Sequence, residues 1–267
     1  MHNDLPRSHR QSDILDPARA AAMQVALGLP ATITAGAALP PFFHQLYFWA
    51  PQPPSDLGRD GHPRIGGQIP DLGLPRRMWA GGRLEFNAPL LAGVAADKTT
   101  SVENVSRKQG RTGPLGFVTL RHDIVQDGQL CVSEWQDLVY RADPAPDTPA
   151  PVAPPARVDE DICETAHFDS TLLFRYSALT LNGHRIHYDL DYARDVEGYT
   201  GLVTHGPLLA QMLMLLAERQ LGQVKHFNFR ATAPLMHFEA AELCWRSDGT
   251  CWVRAPDGRQ NMLAAAK

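Results

Sequence analysis

Leu179-Thr180-Leu181-Asn182-Gly183-His184-Arg185-Ile186-His187-Tyr188-Asp189, followed after a short acidic and aromatic run by Leu202-Val203-Thr204-His205-Gly206-Pro207-Leu208-Leu209, is the stretch around which the rest of the chain is organised. It sets two histidines and an asparagine ahead of a helix. Pro207 suits a first helical turn, and Leu208, Leu209, Met212, Leu213, Met214, Leu215 and Leu216 make the segment apolar on almost every side. Such a helix must be wrapped by other structure. Its start at Gly206 offers unpaired backbone N–H groups and a partial positive charge to the loop carrying His205, which suits a developing oxyanion.

Downstream of that helix, strand patterns recur at 224–231, 240–247, 250–254 and 262–266, and a strand-like run at 172–177 precedes the loop. A buried helix with an antiparallel meander after it is the layout of a hot-dog domain. Upstream, Asp16-Pro17 opens a helix through about Leu27, with Asp16 as cap and Gly28 as stop. An apolar segment at 39–49 leads into a Gly- and Pro-dense stretch at 50–75 that forbids continuous helix or strand. Long loops inside compact domains are often functional, and this one is flanked by Trp49, Met78 and Trp79. Strands are expected from Arg76 through Phe86 and at 116–124 and 130–140.

Four parts follow. Residues 1–12 read as a disordered leader and 13–141 as a substrate-binding, hot-dog-like domain without a recognisable central helix. Residues 142–157, rich in proline, read as a linker able to span roughly 40–50 Å if extended. Residues 158–267 read as the catalytic hot-dog domain. The fold class is α+β, a double hot-dog with a degenerate N-terminal copy.

Composition narrows the function. A net charge of −4 over 267 residues supplies no basic surface for nucleic acid. The four cysteines show no metal-ligand or disulfide spacing, as in a reduced cytoplasmic protein, and neither a signal peptide nor a membrane span is evident. Asp189, Asp191 and Glu197 suit turn caps or solvent better than a metal site, so no metal or cofactor is expected.

The run 176–189, with Tyr192-Ala193-Arg194 and 197–208, resembles the type 2 3-hydroxyacyl-thioester dehydratases, which belong to the MaoC-like hydratases of hot-dog fold. Arg76-Arg77-Met78-Trp79-Ala80-Gly81-Gly82 is similar to a second signature of the longer members, which include mesaconyl-CoA and itaconyl-CoA hydratases. In the broader group the loop reads Asp-x-Asn-Pro-x-His. Those three named positions fall here on Asn182, His184 and His187, so this chain lacks the carboxylate.

The resemblance implies reversible hydration of an enoyl-CoA thioester, with a short branched dicarboxylic acyl group as the first expectation. Dehydration of 3-hydroxyacyl groups on coenzyme A or acyl carrier protein is the alternative within the class, and thioester hydrolysis or non-catalytic acyl binding lies outside it. Hydration needs a base for water, a positioned proton donor and stabilisation of the enolate oxygen. His187 suits the base, Asn182 the orientation of water, His184 a relay or a support for Asn182, and the Gly206 N–H the oxyanion donor. Arg83, Arg185 and Arg230 are candidates for a substrate carboxylate or the phosphates of coenzyme A, and Trp79 and His205 for further substrate contacts. A coenzyme A thioester is the expected partner, without nucleic acid or membrane, and a homodimer the expected assembly.

Overall fold

The computed structural model describes residues 8–64, 69–110, 113–143 and 152–267. Ten strands form one antiparallel sheet. In chain order they are β1 (His9–Ile14), β2 (Arg76–Phe86), β3 (Ala95–Gly110), β4 (Gly113–Gln126), β5 (Gln129–Arg141), β6 (Ile162–His167), β7 (His226–Ala231), β8 (Ala240–Trp245), β9 (Thr250–Arg254) and β10 (Gln260–Ala266). Three α-helices accompany them: α1 (Pro17–Ala26), α2 (Ser170–Thr180) and α3 (Gly206–Leu221).

The spatial order β1-β3-β4-β5-β2-β7-β10-β9-β8-β6 is a palindrome of two five-stranded halves. Each element of one half has a counterpart in the other, and the halves meet where β2 pairs with β7 in the register Gly82↔Phe229 and Leu84↔Phe227. Gly82 is required at that seam. A Cβ there would stand 2.5 Å from the Trp135 carbonyl oxygen and 3.1 Å from the Phe229 ring.

In the C-terminal half, α3 is the enclosed helix that its apolar sequence demands. Leu208, Ala210, Leu213, Met214, Leu216 and Ala217 are fully buried, and the helix packs on β7, β8, β9 and β10. Cys251 and Val253 of β9, two apart and so on one face of the strand, supply part of the opposing wall, and Trp252 between them is buried on the other face. In the N-terminal half the corresponding place is filled by a single 3-10 turn, Phe43–Leu46, which buries Phe42, Phe43 and Leu46. This is the degenerate copy expected from the sequence. Its inner sheet face is correspondingly polar: His44 and Glu134 pair at 3.0 Å in the interior, and with Lys98, His122 and Gln136 they line a cavity of about 30 Å³.

The helix at 17–26 starts as read, with the Asp16 carboxylate accepting the Ala18 N–H. Three expectations need correction. Residues 9–12, taken as leader, belong to β1, paired with β3 from His9↔Thr100 to Ile14↔Ala95; residues 1–7 lie outside the described part. The strand expected at 172–177 is α2, because Asp169 caps Leu172 and the buried positions Leu173, Tyr176 and Ser177 follow helical spacing. Of the expected linker, 144–151 lies outside the described residues, whereas 154–156 is bound to the β9–β10 turn through Ala156 N–H to the Gly258 carbonyl and Gln260 N–H to the Pro154 carbonyl. Among the described residues no helix is long and apolar enough to cross a membrane.

Candidate active site

The end of α2 builds the histidine loop. Leu181 takes a left-handed conformation and the Asn182 N–H returns to the Ser177 carbonyl at 2.8 Å, turning the chain out of the helix. The Asn182 side-chain oxygen then accepts the His184 N–H at 3.1 Å, closing an Asx turn that opens the 3-10 turn Arg185–His187. A small apolar cluster of Ile186, Tyr192, Val203 and Met236 holds this loop from below.

His187 is buried, and its Nδ1 lies 2.7 Å from the Val203 carbonyl oxygen. A carbonyl only accepts, so Nδ1 carries the proton and Nε2 presents a lone pair. Burial, with His184 nearby, lowers the His187 pKa to about 3, so the ring is neutral at neutral pH. His205 stacks on it with centroids 3.7 Å apart, and its Nε2 meets the Ser177 hydroxyl at 2.8 Å. Since His205 immediately precedes Gly206, the stack fixes His187 against the start of α3.

Gly206 is the first residue of α3, so its N–H has no intrahelical partner. A Cβ at this residue would meet only the Trp79 carbonyl oxygen, at 3.9 Å. The helix start is therefore open on that side, as an approaching ligand requires. Trp79 lies beside it, its indole N–H bonded to the Gly81 carbonyl and its ring 6.1 Å from that of Phe229.

The structure thus brings His187, His205, Gly206 and Trp79 together, with His184 at 5.3 Å from the His187 ring. His205 is fully buried, which leaves no exposed surface for the expected substrate contact, and its ring lies against that of His187. No side-chain cap of α3 comes from it either.

The three arginines behave differently. Arg185 is committed to Asp189 at 2.7 Å, to the Arg59 carbonyl and to the Tyr192 ring, and so braces the loop. Arg83 and Arg230 are exposed on the sheet face opposite α3, where Arg83 lies over Trp135 and beside Glu103. Their neighbours Leu84 and Phe229 point into the core. The cause for Arg83 is a bulge between Trp79 and Gly81, which reverses the alternation along β2. Had the pleat continued unbroken, Arg83 would share the inner face with Trp79. Both guanidinium groups therefore lie on the outward face of the sheet, away from the histidine loop.

Three further groups border the histidine loop. The segment 56–64 of the Gly- and Pro-rich stretch docks on the histidine loop: Asp60 accepts the Arg185 N–H, and the His62 ring lies 4.8 Å from that of His184. Gly61, at φ +85°, approaches the Gly183 carbonyl so closely that a Cβ would stand 2.1 Å from its oxygen. Arg76, buried, is ion-paired with Glu197. Arg77 stands near His62 and His184 and contributes, after burial, to lowering both their pKa values, that of His184 to about 4.

A family model for hydroxyacyl-thioester dehydratase type 2 matches residues 42–237. Over 255 residues, 94% of this chain and 90% of the other, the sequence is 44% identical to the mesaconyl-C(4)-CoA hydratase of Chloroflexus aurantiacus. It is 26% identical to the mitochondrial hydroxyacyl-thioester dehydratase type 2 of Schizosaccharomyces pombe, over 80% of each chain. Among solved structures, HtdX of Mycobacterium tuberculosis superposes with a TM-score of 0.69 at 18% identity, over 97% of this chain and 99% of that one. A further Mycobacterium tuberculosis protein described as having a double hotdog fold gives 0.60 at 16% identity, over 98% and 96%.

Proposed function

The chain belongs to the hydroxyacyl-thioester dehydratase type 2 family, and from that premise we propose that it hydrates mesaconyl-C4-CoA to citramalyl-CoA, with His187 as base. It is a hydro-lyase acting on coenzyme A thioesters. The observation that carries the site assignment is the bond from His187 Nδ1 to the Val203 carbonyl, which leaves Nε2 as proton acceptor next to the unpaired N–H at the start of α3.

In the hydration direction, Nε2 of His187 takes a proton from water as the water oxygen bonds to the β-carbon. The electron pair of the double bond moves to the α-carbon and the thioester oxygen, where the Gly206 N–H stabilises the enolate. A donor of this kind contributes about 2.7–4 kcal/mol where it has been removed from other enzymes. Proton transfer to the α-carbon completes the addition. Because burial disfavours the imidazolium, the developing enolate charge offsets a cost that the empty site imposes. Asn182 keeps a second lone pair for the water while its first holds the His184 N–H.

The reverse reaction, loss of water from a 3-hydroxyacyl thioester, uses the same groups and is the activity named for the yeast relative. An absorbance assay for loss of the enoyl thioester, with crotonyl-, mesaconyl-C4- and itaconyl-CoA, tests the proposal. Turnover of crotonyl-CoA alone overturns the dicarboxylic substrate. Thiol release without hydration overturns the reaction class.

A further inference from the structure

Arg77 occupies an unusual position for a guanidinium. It lies on β2 opposite Tyr140 of β5, on the same inner face as Trp79, and is only partly exposed. Among the described residues no carboxylate pairs with it, whereas its neighbour Arg76 is matched by Glu197. Beside it, the Tyr140 hydroxyl is buried: the Arg77 guanidinium lies within reach of its oxygen, and its own proton has no acceptor among the described residues. His62 and His184 stand in its field, and His184 touches His187. A guanidinium without a carboxylate partner and a hydroxyl whose proton has no acceptor, at one place, are the two halves of a carboxylate site.

The same place holds one competing feature. Asp60, His62 and His184 offer ligand atoms within 4.8 Å of one another, a spacing a divalent cation could use. The guanidinium of Arg77 opposes that use, since a second cation would enter its field. The Asp60 carboxylate already accepts the His62 N–H and Arg76 is matched by Glu197, which leaves the Arg77 guanidinium as the group without a countercharge partner.

We propose that Arg77 and the Tyr140 hydroxyl bind the free carboxylate of the acyl group and thereby select a β-carboxylated enoyl thioester. This deepens, and rests on, the hydratase reading above. In mesaconyl-C4-CoA the thioester is carried by C4, so the free carboxylate is attached to the carbon that receives the hydroxyl. It therefore sits one carbon–carbon bond, about 1.5 Å, from the point of attack. Its binding group must lie on the same side of the site as the water-activating histidine, and Arg77 is linked to it through His184, which feels the Arg77 charge and meets the His187 ring edge-on. Crotonyl-CoA keeps the β-methyl group and lacks the carboxylate, so it reports on everything except this contact.

The test compares kcat/KM for mesaconyl-C4-CoA and crotonyl-CoA in the wild type and in Arg77→Met and Tyr140→Phe. The expected result is a fall of about a hundredfold in the mesaconyl-to-crotonyl ratio for Arg77→Met, the size of effect seen when one partner of a desolvated charge pair is removed, and a smaller fall in the same sense for Tyr140→Phe. If Arg77→Met does not fold, Arg77→Lys and Tyr140→Phe carry the comparison. Equal losses on both substrates, with KM raised for both, assign Arg77 to coenzyme A and overturn the inference while leaving the hydratase reading intact. A wild type that hydrates crotonyl-CoA and ignores mesaconyl-C4-CoA overturns the substrate reading and this inference with it.

Discussion

The imidazole of His205 lies against that of His187 with 21° between their planes, and the Ser177 hydroxyl fixes the far edge of the pair. The reacting ring is thus held by two contacts that never meet the substrate: the Val203 carbonyl at its Nδ1 and a second ring on its face. His187→Ala is expected to lower kcat/KM by about 10²- to 10⁴-fold, the usual contribution of a positioned base, with the fold retained by circular dichroism. His205→Leu should lower kcat on the order of tenfold to a hundredfold while KM stays near the wild-type value, because misplacement of a base costs turnover rather than affinity. A raised KM with normal kcat would place His205 in the binding site instead.

The buried histidines make stability depend on pH. His187 and His184 have folded-state pKa values of about 3 and about 4, below the unfolded value near 6.5, so between these limits the unfolded chain binds more protons. Their contribution is fully present above about pH 6.5 and is lost as pH falls, at up to about 1.4 kcal/mol per pH unit for each ring. Urea midpoints at pH 7.5 and 5.5 check this; the midpoint should drop at pH 5.5, and drop less in His187→Gln. The same shift predicts that kcat/KM shows no acid limb near pH 6.5.

Asn182 has a structural task as well as a chemical one, since its side-chain oxygen closes the turn at His184. Asn182→Ala should lower turnover and also cost about 1 kcal/mol of stability, the usual price of a lost cap. Asn182→Asp keeps the acceptor and should keep the stability. Equal denaturation midpoints for wild type and Asn182→Ala would remove the Asx turn from the account.

Arg83→Ala and Arg230→Ala should leave kcat/KM within about twofold of wild type, because both side chains lie on the outward face of the sheet. A tenfold rise in KM for either would show that coenzyme A reaches across that face.

At the seam, Gly82→Ala places a methyl group against the Trp135 carbonyl, a backbone atom that cannot rotate away. A loss of about 1–3 kcal/mol is expected from overpacking, read as a lowered denaturation midpoint.

Much of this architecture was legible before any coordinates. Asp16-Pro17 gave the start of α1, the all-round apolar pattern gave α3, and β9 was read to the residue. β3 escaped because its inward positions include Lys98 and Thr100, which erase the apolar alternation that marks a strand. β6, at the edge of the sheet, is mostly exposed and carries no buried period. In the candidate site, the loop motif pointed to His187 and Gly206, which are near in sequence. Arg77, Tyr140 and His62 were invisible because only the pairing of β2 with β5 and the docking of 56–64 assemble them. The outward placement of Arg83 has a single origin, a one-residue bulge that no sequence pattern announces.

The mirror order of the ten strands gives the molecule two matching cradles, yet only one retains the reagents, while its twin has exchanged a helix for a short turn. A duplicated ancestor would have held two equivalent centres. The histidine loop and the start of α3 fall within 177–206, whereas the described residues of 8–143 supply β2 and its side of the seam. Selectivity can therefore drift through changes in the second group without touching the first, which is how one scaffold accommodates a succession of acyl groups.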